Sequence, residues 1–206
     1  MLDPIPGLVF DPDLHRYALN GQWLCTSVTK VVSDLTPQAR AHIEATKDGP
    51  DGWLFRGNTG HAALEAMLLG QPQPDHAHLG EIIQPLLEHA IWQGCTVLAV
   101  EYRLCDERKS LGGSFDFLIR TGKGKVVLGD LKTVGKAPAI DSRKPATAQL
   151  GAYLAMLIDH HPFLTVDSCV TVVAGPGRTR LIPQDPDLCL GAWVDAWDAY
   201  QLAQPF

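Results

Sequence analysis

Three charged side chains lie in segments that the sequence pattern predicts to be paired strands. Residues 112–119 read Gly-Gly-Ser-Phe-Asp-Phe-Leu-Ile, and residues 125–133 read Lys-Val-Val-Leu-Gly-Asp-Leu-Lys-Thr. Both segments are apolar enough to form strands, and the Gly-Lys-Gly at 122–124 predicts a hairpin turn between them. Asp130 and Lys132 are two residues apart and therefore point to the same face of their strand. Together with Asp116, they predict two carboxylates and an ammonium at one end of adjacent strands.

This combination of side chains suits a hard divalent cation acting on a phosphate group. Asp116 stands between Phe115 and Phe117, and a carboxylate in such apolar surroundings needs a partner. A metal ion is one such partner. A structural salt bridge between Asp116 and Lys132 is the alternative, and Lys132 could equally be a simple counter-ion for both aspartates.

Four short motifs follow one another along the chain. They are Gly60-His61-Ala-Ala-Leu-Glu65, Gly113-Ser-Phe-Asp116, Asp130-Leu-Lys132-Thr133 and Gln149-Leu-Gly-Ala-Tyr153. This ordered set resembles the PD-(D/E)xK nuclease superfamily, in its RecB-like exonuclease branch. The segment Thr26-Ser-Val-Thr29 is similar to the S-V-T turn of the mitochondrial genome maintenance exonucleases and related phage exonucleases. The resemblance covers about residues 7–175.

The resemblance implies a set of metal ligands and catalytic groups. The implied ligands of a Mg²⁺ or Mn²⁺ ion are His61, Asp116, Asp130 and the backbone carbonyl of Leu131. Lys132 would hold the attacking water and offset charge in the transition state. Gln149 would lie near this lysine and the scissile phosphate.

Three further residues are expected to support the implied site. Glu65 is one helical turn after His61 and could orient its imidazole. Glu101 ends the apolar run 97–100, and Tyr153 shares a helix face with Gln149. Each has a plainer alternative: His61 as an ordinary helix histidine, Glu101 as a charge at a strand end, and Tyr153 as a core residue.

The charge of the chain is unevenly distributed. The formal net charge is −6, yet residues 103–144 contain ten Lys and Arg and five Asp and Glu, a local balance of +5 that leaves −11 elsewhere. Phosphate binding needs a local positive surface rather than a basic protein. We expect Lys136, Arg143 and Lys144, which follow the Asp130 strand in a Pro-containing loop, to contact a DNA backbone. An ordinary solvated surface is the alternative.

Composition limits the class of protein. A chain of 206 residues with 46% apolar residues is expected to form a single domain, which the resemblance implies is a nuclease domain. Within it we expect an N-terminal hairpin and helices over 1–50, a catalytic core over 51–175, and a C-terminal strand and helix over 176–206. No apolar run approaches 18 residues and no signal peptide is recognisable, so we expect a protein that neither spans a membrane nor is secreted.

The cysteines indicate a reducing compartment. The five cysteines are scattered without a C-x-x-C pair, which favours buried thiols in a cytoplasmic protein. The same scatter argues against the four grouped cysteines of an iron–sulfur cluster.

The order of the predicted elements favours a mixed α/β fold. The pattern predicts a hairpin at Asn20-Gly21, a short helix from Ser27 to Asp34, a helix starting at Thr36-Pro37, and helices over 51–69 and 77–93. These elements are followed by strands over 96–104, 112–120 and 125–133 and by a helix over 146–160. The pattern then predicts strands over 168–174 and 178–183 and a last helix from Pro186. By the resemblance, this order corresponds to a restriction-endonuclease-like core with a central mixed sheet flanked by helices.

The expected function is a metal-dependent deoxyribonuclease, in particular an exonuclease that prefers single-stranded ends and acts in replication, repair or recombination. An endonuclease on the same core and a non-catalytic DNA-binding module are the alternatives. Digestion polarity and the number of metal ions do not follow from the motifs.

Overall fold

The computed structural model of the chain describes residues 1–33, 36–49 and 52–204. Its centre is a six-stranded mixed sheet with helices on both faces, and a small three-stranded antiparallel sheet precedes it. This architecture confirms the predicted mixed α/β class with a central mixed sheet flanked by helices.

The regular elements in the described residues follow the predicted order. The strands are β1 (Leu8–Asp11), β2 (Arg16–Leu19), β3 (Gln22–Trp23), β4 (Thr26–Ser27), β5 (Thr96–Asp106), β6 (Leu111–Arg120), β7 (Val126–Thr133), β8 (Ser168–Gly175) and β9 (Arg178–Gln184). The helices are α1 (Val28–Val31), α2 (Pro37–Ala45), α3 (Trp53–Leu68), α4 (Gly80–Leu87), α5 (Ala137–Ser142), α6 (Thr147–His160) and α7 (Pro186–Leu202).

The central sheet is built around β6 and β7. Its order is β4-β6-β7-β8-β9, with β5 also paired to β6. β6 is antiparallel to β5 and β7, whereas β7 and β8 are parallel and are connected through α6. The predicted turn between β6 and β7 is confirmed: Thr121 N–H donates to the Lys125 carbonyl at 2.8 Å, and Gly124 has a φ of 84°.

Both faces of the sheet are covered by helices. One face packs against α6 and α7 through a cluster that contains Leu128, Leu154 and Trp193. The other face packs against α3 and α4 through a cluster that contains Leu131 and Ile83. Leu128 and Leu131 on the same strand thus serve opposite layers, as expected for a sheet buried on both faces.

The predicted helix over 77–93 is wrong as a single element. The structure has a 3₁₀ turn at Ala77–Leu79, then α4, then a second 3₁₀ turn at Ala90–Trp92. His89 interrupts the helix, because its backbone is extended (ψ 137°) and its imidazole accepts a hydrogen bond from Ile91 N–H. The run of apolar residues hid this local capping motif.

The region between β7 and α6 also differs from its prediction as a loop. It contains the short helix α5, whose second residue is Pro138. Proline is tolerated in the first turn of a helix, because its missing N–H would have no helical partner there.

The elements before α3 agree with the prediction in part. Asn20 and Gly21 have φ values of 51° and 79°, as the predicted type I′ hairpin requires, and the Thr36 hydroxyl caps α2. Ser27 occupies the N-cap position of α1, but its hydroxyl contacts Thr29 Oγ1 instead of a helix N–H. The predicted end of this helix at Asp34 lies outside the described residues.

Helix α3 is close to its prediction over 51–69. It runs from Trp53 to Leu68, and Gly70 follows with a φ of 64°. The predicted first residue, Asp51, lies outside the described residues. Among the helices of the described residues, none is both long enough and apolar enough to cross a membrane.

Close packing of α6 on α7 gives a stability prediction. A side chain at Gly151 would overlap the Cys189 carbonyl oxygen and approach Trp193 Cβ to 2.9 Å. We expect Gly151→Ala to lower the free energy of unfolding by about 1–3 kcal/mol, the usual range for overpacking. Urea denaturation followed by circular dichroism measures this.

The control is Gly191→Ala on α7, since a side chain there would meet nothing within 4 Å. It should stabilise the helix by up to about 1 kcal/mol. Equal midpoints for the two variants would contradict the close contact between α6 and α7.

Candidate metal centre and groove

Asp116 and Asp130 meet where β6 and β7 stop pairing. The last backbone pair between these strands is Phe117 with Gly129. Beyond it, Leu131 N–H donates to Asp116 Oδ2, so that a side chain replaces the neighbouring backbone as acceptor. Both carboxylates are nearly buried, with 7% of Asp116 and 1% of Asp130 exposed. Both carboxylates therefore lie at this edge of the two strands, but the group of possible ligand atoms found in the described residues includes Asp116 and not Asp130.

Asp130 is held by a network that reaches helix α6. Its Oδ2 lies 2.8 Å from Lys132 Nζ, and its Oδ1 accepts a hydrogen bond from Gln149 Nε2 at 2.6 Å. Gln149 also accepts from Lys132 Nζ at 3.0 Å and donates to the Tyr153 hydroxyl at 3.0 Å. These contacts therefore fix the positions of Asp130, Lys132, Gln149 and Tyr153 relative to one another.

Burial dominates the electrostatics of this network. Burial raises the pKa of Asp130; the Lys132 ammonium lowers it and the nearby Asp116 raises it, and the net shift is upward. Burial, together with Asp130 and Asp116, likewise holds the pKa of Tyr153 well above its usual value. Tyr153 is therefore a neutral hydrogen-bonding group, and Lys132 is the cation that opposes the rise in the pKa of Asp130.

A second group of ligand atoms gathers at His61 on α3. His61 Nδ1 lies 3.1 Å from Glu101 Oε1 and 3.3 Å from Asp116 Oδ1. Ligand atoms of these three residues all lie within 4.8 Å of one another. Glu101 has a φ of 44° in the middle of β5, a left-handed conformation that is unfavourable for glutamate.

The charges in this group are coupled. Burial by itself lowers the pKa of His61, but Asp116 and Glu101 raise it well above its usual value. The pKa of Glu101 is raised, mainly by burial and also by Asp116 and Glu65, although His61 opposes this. Crowded carboxylates with raised pKa values are a common property of functional sites.

The residues present fit a divalent metal ion. They offer one imidazole nitrogen and several carboxylate oxygens, a set suited to Mn²⁺ and Mg²⁺. Asp130 Oδ2 is buried and accepts no hydrogen bond of standard geometry, only the ion pair with Lys132. A divalent ion would relieve the repulsion among the carboxylates and give this oxygen a further partner.

Two predicted supporting residues are arranged differently from the expectation. Glu101 was expected behind the metal ligands or at a strand end, but its carboxylate is one of the three clustered groups. Glu65 was expected to orient His61, yet the carboxylates that contact the His61 imidazole in the described residues are those of Glu101 and Asp116, and no hydrogen bond to Glu65 is formed there. Glu65 acts on the site through its charge, which raises the pKa of Glu101.

A groove of about 1280 Å³ lies over these groups. His61, Asp116, Asp130, Leu131 and Lys132 all line it. Of the three residues expected to contact DNA, Lys136 and Arg143 are exposed and line the groove, whereas Lys144 is exposed but lies outside the lining.

Sequence analysis missed part of the groove wall. Tyr17 on β2 lines it and shares a hydrogen bond of 3.1 Å with the Ser114 hydroxyl, two residues before Asp116. A contact between residues so far apart in sequence leaves no local signal. Trp53 also lines the groove, and its spacing of eight residues from His61 was a signal that could have identified it.

Comparison with known proteins gives little further information. No family model matches the chain, and no curated protein matches it by sequence. The chain is similar to a solved structure described as "Crystal structure of SSO0001", with 18% sequence identity over 87% of this chain and 77% of that chain and a TM-score of 0.40. At this TM-score, the similarity carries no functional argument.

The clustered groups predict a change in metal affinity. We expect His61→Ala and Glu101→Gln each to weaken Mn²⁺ binding at least about tenfold, since even residues that only orient ligands contribute 10- to 100-fold. His61→Ala should affect Mn²⁺ more than Mg²⁺, because imidazole suits Mn²⁺ better. Isothermal titration calorimetry measures both affinities.

The control is Glu81→Gln, which removes a carboxylate that lines the groove outside the cluster. Its affinity for Mn²⁺ should equal that of the wild type. Unchanged affinity in both cluster variants would remove His61 and Glu101 from the metal site.

Proposed function

We propose that this protein is a divalent-metal-dependent deoxyribonuclease, and specifically an exonuclease that acts on single-stranded DNA ends in replication, repair or recombination. The observation that carries the proposal is that His61 beside Asp116, and Lys132 beside Asp130, line one groove. The four ordered motifs resemble those of the RecB-like branch of the PD-(D/E)xK nucleases, whose members have a restriction-endonuclease-like core. This resemblance supports the proposal.

The chain supplies the groups that phosphodiester hydrolysis requires. When bound, a Mg²⁺ or Mn²⁺ ion supplies Lewis-acid polarisation of the phosphate and acidification of water. We assign its binding to Asp116, Asp130, His61 and the Leu131 carbonyl, with Glu101 beside them. These atoms would hold the ion beside Lys132, whose ammonium lies 2.8 Å from Asp130 Oδ2.

Lys132 is the charge-stabilising residue in this proposal. Its Nζ is fixed by Asp130 and Gln149 at 2.8 and 3.0 Å, so it needs no reorganisation when charge develops on the phosphate. Such preorganised groups contribute large parts of the rate enhancement of enzymes. Gln149 positions Lys132 and Asp130 together, and Tyr153 positions Gln149.

The distribution of basic residues supports DNA as the substrate. Lys136 and Arg143 line the groove, and the local excess of positive charge lies within an otherwise acidic chain. Acidic outer surfaces would repel the polyanion and so favour its approach along the groove.

We also propose that the protein acts in the cytoplasm. All five cysteines are free thiols and three of them, Cys105, Cys169 and Cys189, are buried. This use of cysteine is typical of a reducing compartment.

One assay separates the candidate activities. Linear and circular single-stranded DNA are incubated with the protein and Mg²⁺ or Mn²⁺, with a chelator control. Digestion of the linear substrate alone supports the exonuclease, and cleavage of the circle would instead indicate an endonuclease. Binding without metal-dependent cleavage of either substrate would indicate a non-catalytic DNA-binding module.

The catalytic assignment predicts the effect of two substitutions. We expect Asp130→Asn and Lys132→Ala each to lower the cleavage rate by about a hundredfold or more, as removal of one preorganised electrostatic group does. Single-turnover cleavage of a labelled oligonucleotide measures the rate. Lys132→Ala removes the cation that pairs with the buried Asp130 carboxylate, so the stability of this variant must be measured in parallel. Asp130→Asn removes the negative charge itself and leaves no such unpaired carboxylate.

Lys109→Ala is the matched control. Lys109 pairs with the nearly buried Asp106 at 2.6 Å, but this pair does not line the groove. The variant should retain cleavage even if it loses stability. Wild-type rates in both site variants would refute the catalytic assignment.

The groove predicts a salt-dependent effect of one arginine. We expect Arg143→Ala to flatten the dependence of log affinity on log salt by about 0.7, the slope for one lost contact with a single-strand phosphate. Fluorescence anisotropy with a labelled strand in Ca²⁺, used in place of Mg²⁺ to limit turnover, measures the slope. Lys144→Ala is the control, because Lys144 is also exposed but is not part of the groove lining. Equal slopes for the two variants would contradict the proposed DNA path.

A further inference from the structure

One face of helix α3 faces the groove along its first turns. Trp53, Gly57 and His61 follow one another at intervals of four residues, and all three line the groove. Residues spaced in this way lie on the same side of a helix. With a rise of 1.5 Å per residue, Trp53 lies roughly 12 Å along the helix axis from His61. This row of residues therefore begins with an aromatic ring, has no side chain at Gly57, and ends at the candidate metal centre, while Arg56 and Asn58 line the groove beside Gly57.

Packing among the described residues does not explain Gly57. A Cβ placed there would meet nothing within 4 Å, and Gly57 is not among the residues with positive φ. Glycine in a helix interior is less stable than alanine. Gly60 on the same helix is different, because a Cβ there would lie 2.7 Å from Thr133 Cγ2. The bare backbone at Gly57 therefore leaves room for something outside the described chain.

Trp53 is suited to contact an unstacked base. Its side chain is 37% exposed on the groove wall. Its only donor, Nε1–H, is already used by the Ile43 carbonyl at 2.7 Å, so the orientation of the indole is fixed. What the ring offers to a ligand is an apolar aromatic surface, and stacking on such a surface accepts any base.

The surroundings of this face favour a nucleic acid strand as the occupant. Exposed Lys136 and Arg143 line the same groove and can contact phosphates. The face is also continuous with the candidate metal centre through His61. A base stacked on Trp53 must be free of its own strand neighbours and partner, which a single strand permits and an intact duplex does not.

We propose that the Trp53–Gly57–His61 face is a nucleotide subsite for single-stranded DNA. The sugar and backbone of a nucleotide near the scissile phosphate lie over the bare Gly57, and its base stacks on Trp53. This inference rests on the proposed nuclease function and specifies how the site selects single-stranded substrate.

The first test is Gly57→Ala, compared with Gly191→Ala. Both glycines lie inside helices where a Cβ meets nothing within 4 Å, but Gly191 is on α7 and outside the groove. Both variants should fold with equal or higher thermal stability. Binding of a single-stranded oligonucleotide in Ca²⁺, measured by anisotropy, should weaken at least about fivefold in Gly57→Ala, which corresponds to the loss of one stacked base. It should be unchanged in Gly191→Ala, and wild-type binding by Gly57→Ala would overturn the subsite.

The second test locates the stacked base. In a series of oligonucleotides, a single abasic position is moved stepwise along the strand. The wild type should bind one member of this series at least about fivefold more weakly than the intact strand, because that member lacks the stacked base. Trp53→Ala should lose this sensitivity and Trp53→Phe should retain it, because phenylalanine keeps a ring for stacking. Equal binding of all abasic strands by the wild type, or retained sensitivity in Trp53→Ala, would contradict the assignment.

The outcomes separate the subsite from the nuclease activity. If the protein cleaves DNA with metal but its DNA binding responds neither to Gly57→Ala nor to abasic positions, the nuclease proposal stands and the subsite is refuted. If DNA binding responds to Gly57→Ala and to abasic positions but no cleavage occurs, the subsite stands and the nuclease proposal is refuted. A wild type that binds no single-stranded DNA would refute the subsite directly.

Discussion

The site depends on the burial of one carboxylate. Asp130 is 1% exposed, and an ionised carboxylate can be buried only if charge and hydrogen bonds compensate the loss of water. Lys132 and Gln149 supply this compensation, and removal of one partner from such a pair typically costs about 3–5 kcal/mol. Gln149 must in turn be held by Tyr153, whose ring fits because position 113 is glycine: a Cβ there would lie 2.8 Å from the ring. One buried charge thus fixes how α6 sits on the sheet.

The same residues make the centre electrostatically unfavourable without a cation. Burial raises the pKa values of Glu101 and Asp130, and the nearby Asp116 carboxylate raises both further. Burial alone would lower the pKa of His61, but Asp116 and Glu101 hold it well above its usual value. A site of this kind lowers the stability of the free protein, because like charges are held together out of water. Proteins retain such arrangements where function requires them. A divalent cation bound as proposed would lower the free energy of this cluster and so stabilise the folded protein.

The sequence predicted those parts of the site that depend on local periodicity. The two-residue spacing of Asp130 and Lys132 placed both on one strand face, and the four-residue spacing of Gln149 and Tyr153 placed both on one helix face; both relations are present in the structure. The conformation of Glu101 was not predictable, because glutamate is no marker of a positive φ. The interruption at His89 was missed because the flanking apolar residues continue on both sides of it. Local patterns predict elements well, but they carry no information about contacts such as Tyr17 with Ser114.

Two glycines on α3 illustrate how packing and function can be distinguished. Gly60 is required by the sheet, because Thr133 approaches it closely, whereas nothing in the described chain approaches Gly57. Two glycines weaken the intrinsic helix propensity of α3, so the helix must be stabilised mainly by its apolar face against the sheet. That face includes the fully buried Ala63 and the almost fully buried Leu64. Leu64 is seven residues after Gly57 and therefore lies on nearly the same side of the helix. The side of α3 that lines the groove in the first turns thus packs against the sheet in the later turns, where tertiary packing supplies the stability. The helix that carries His61 can therefore have a poor local sequence and still hold its imidazole in a fixed position.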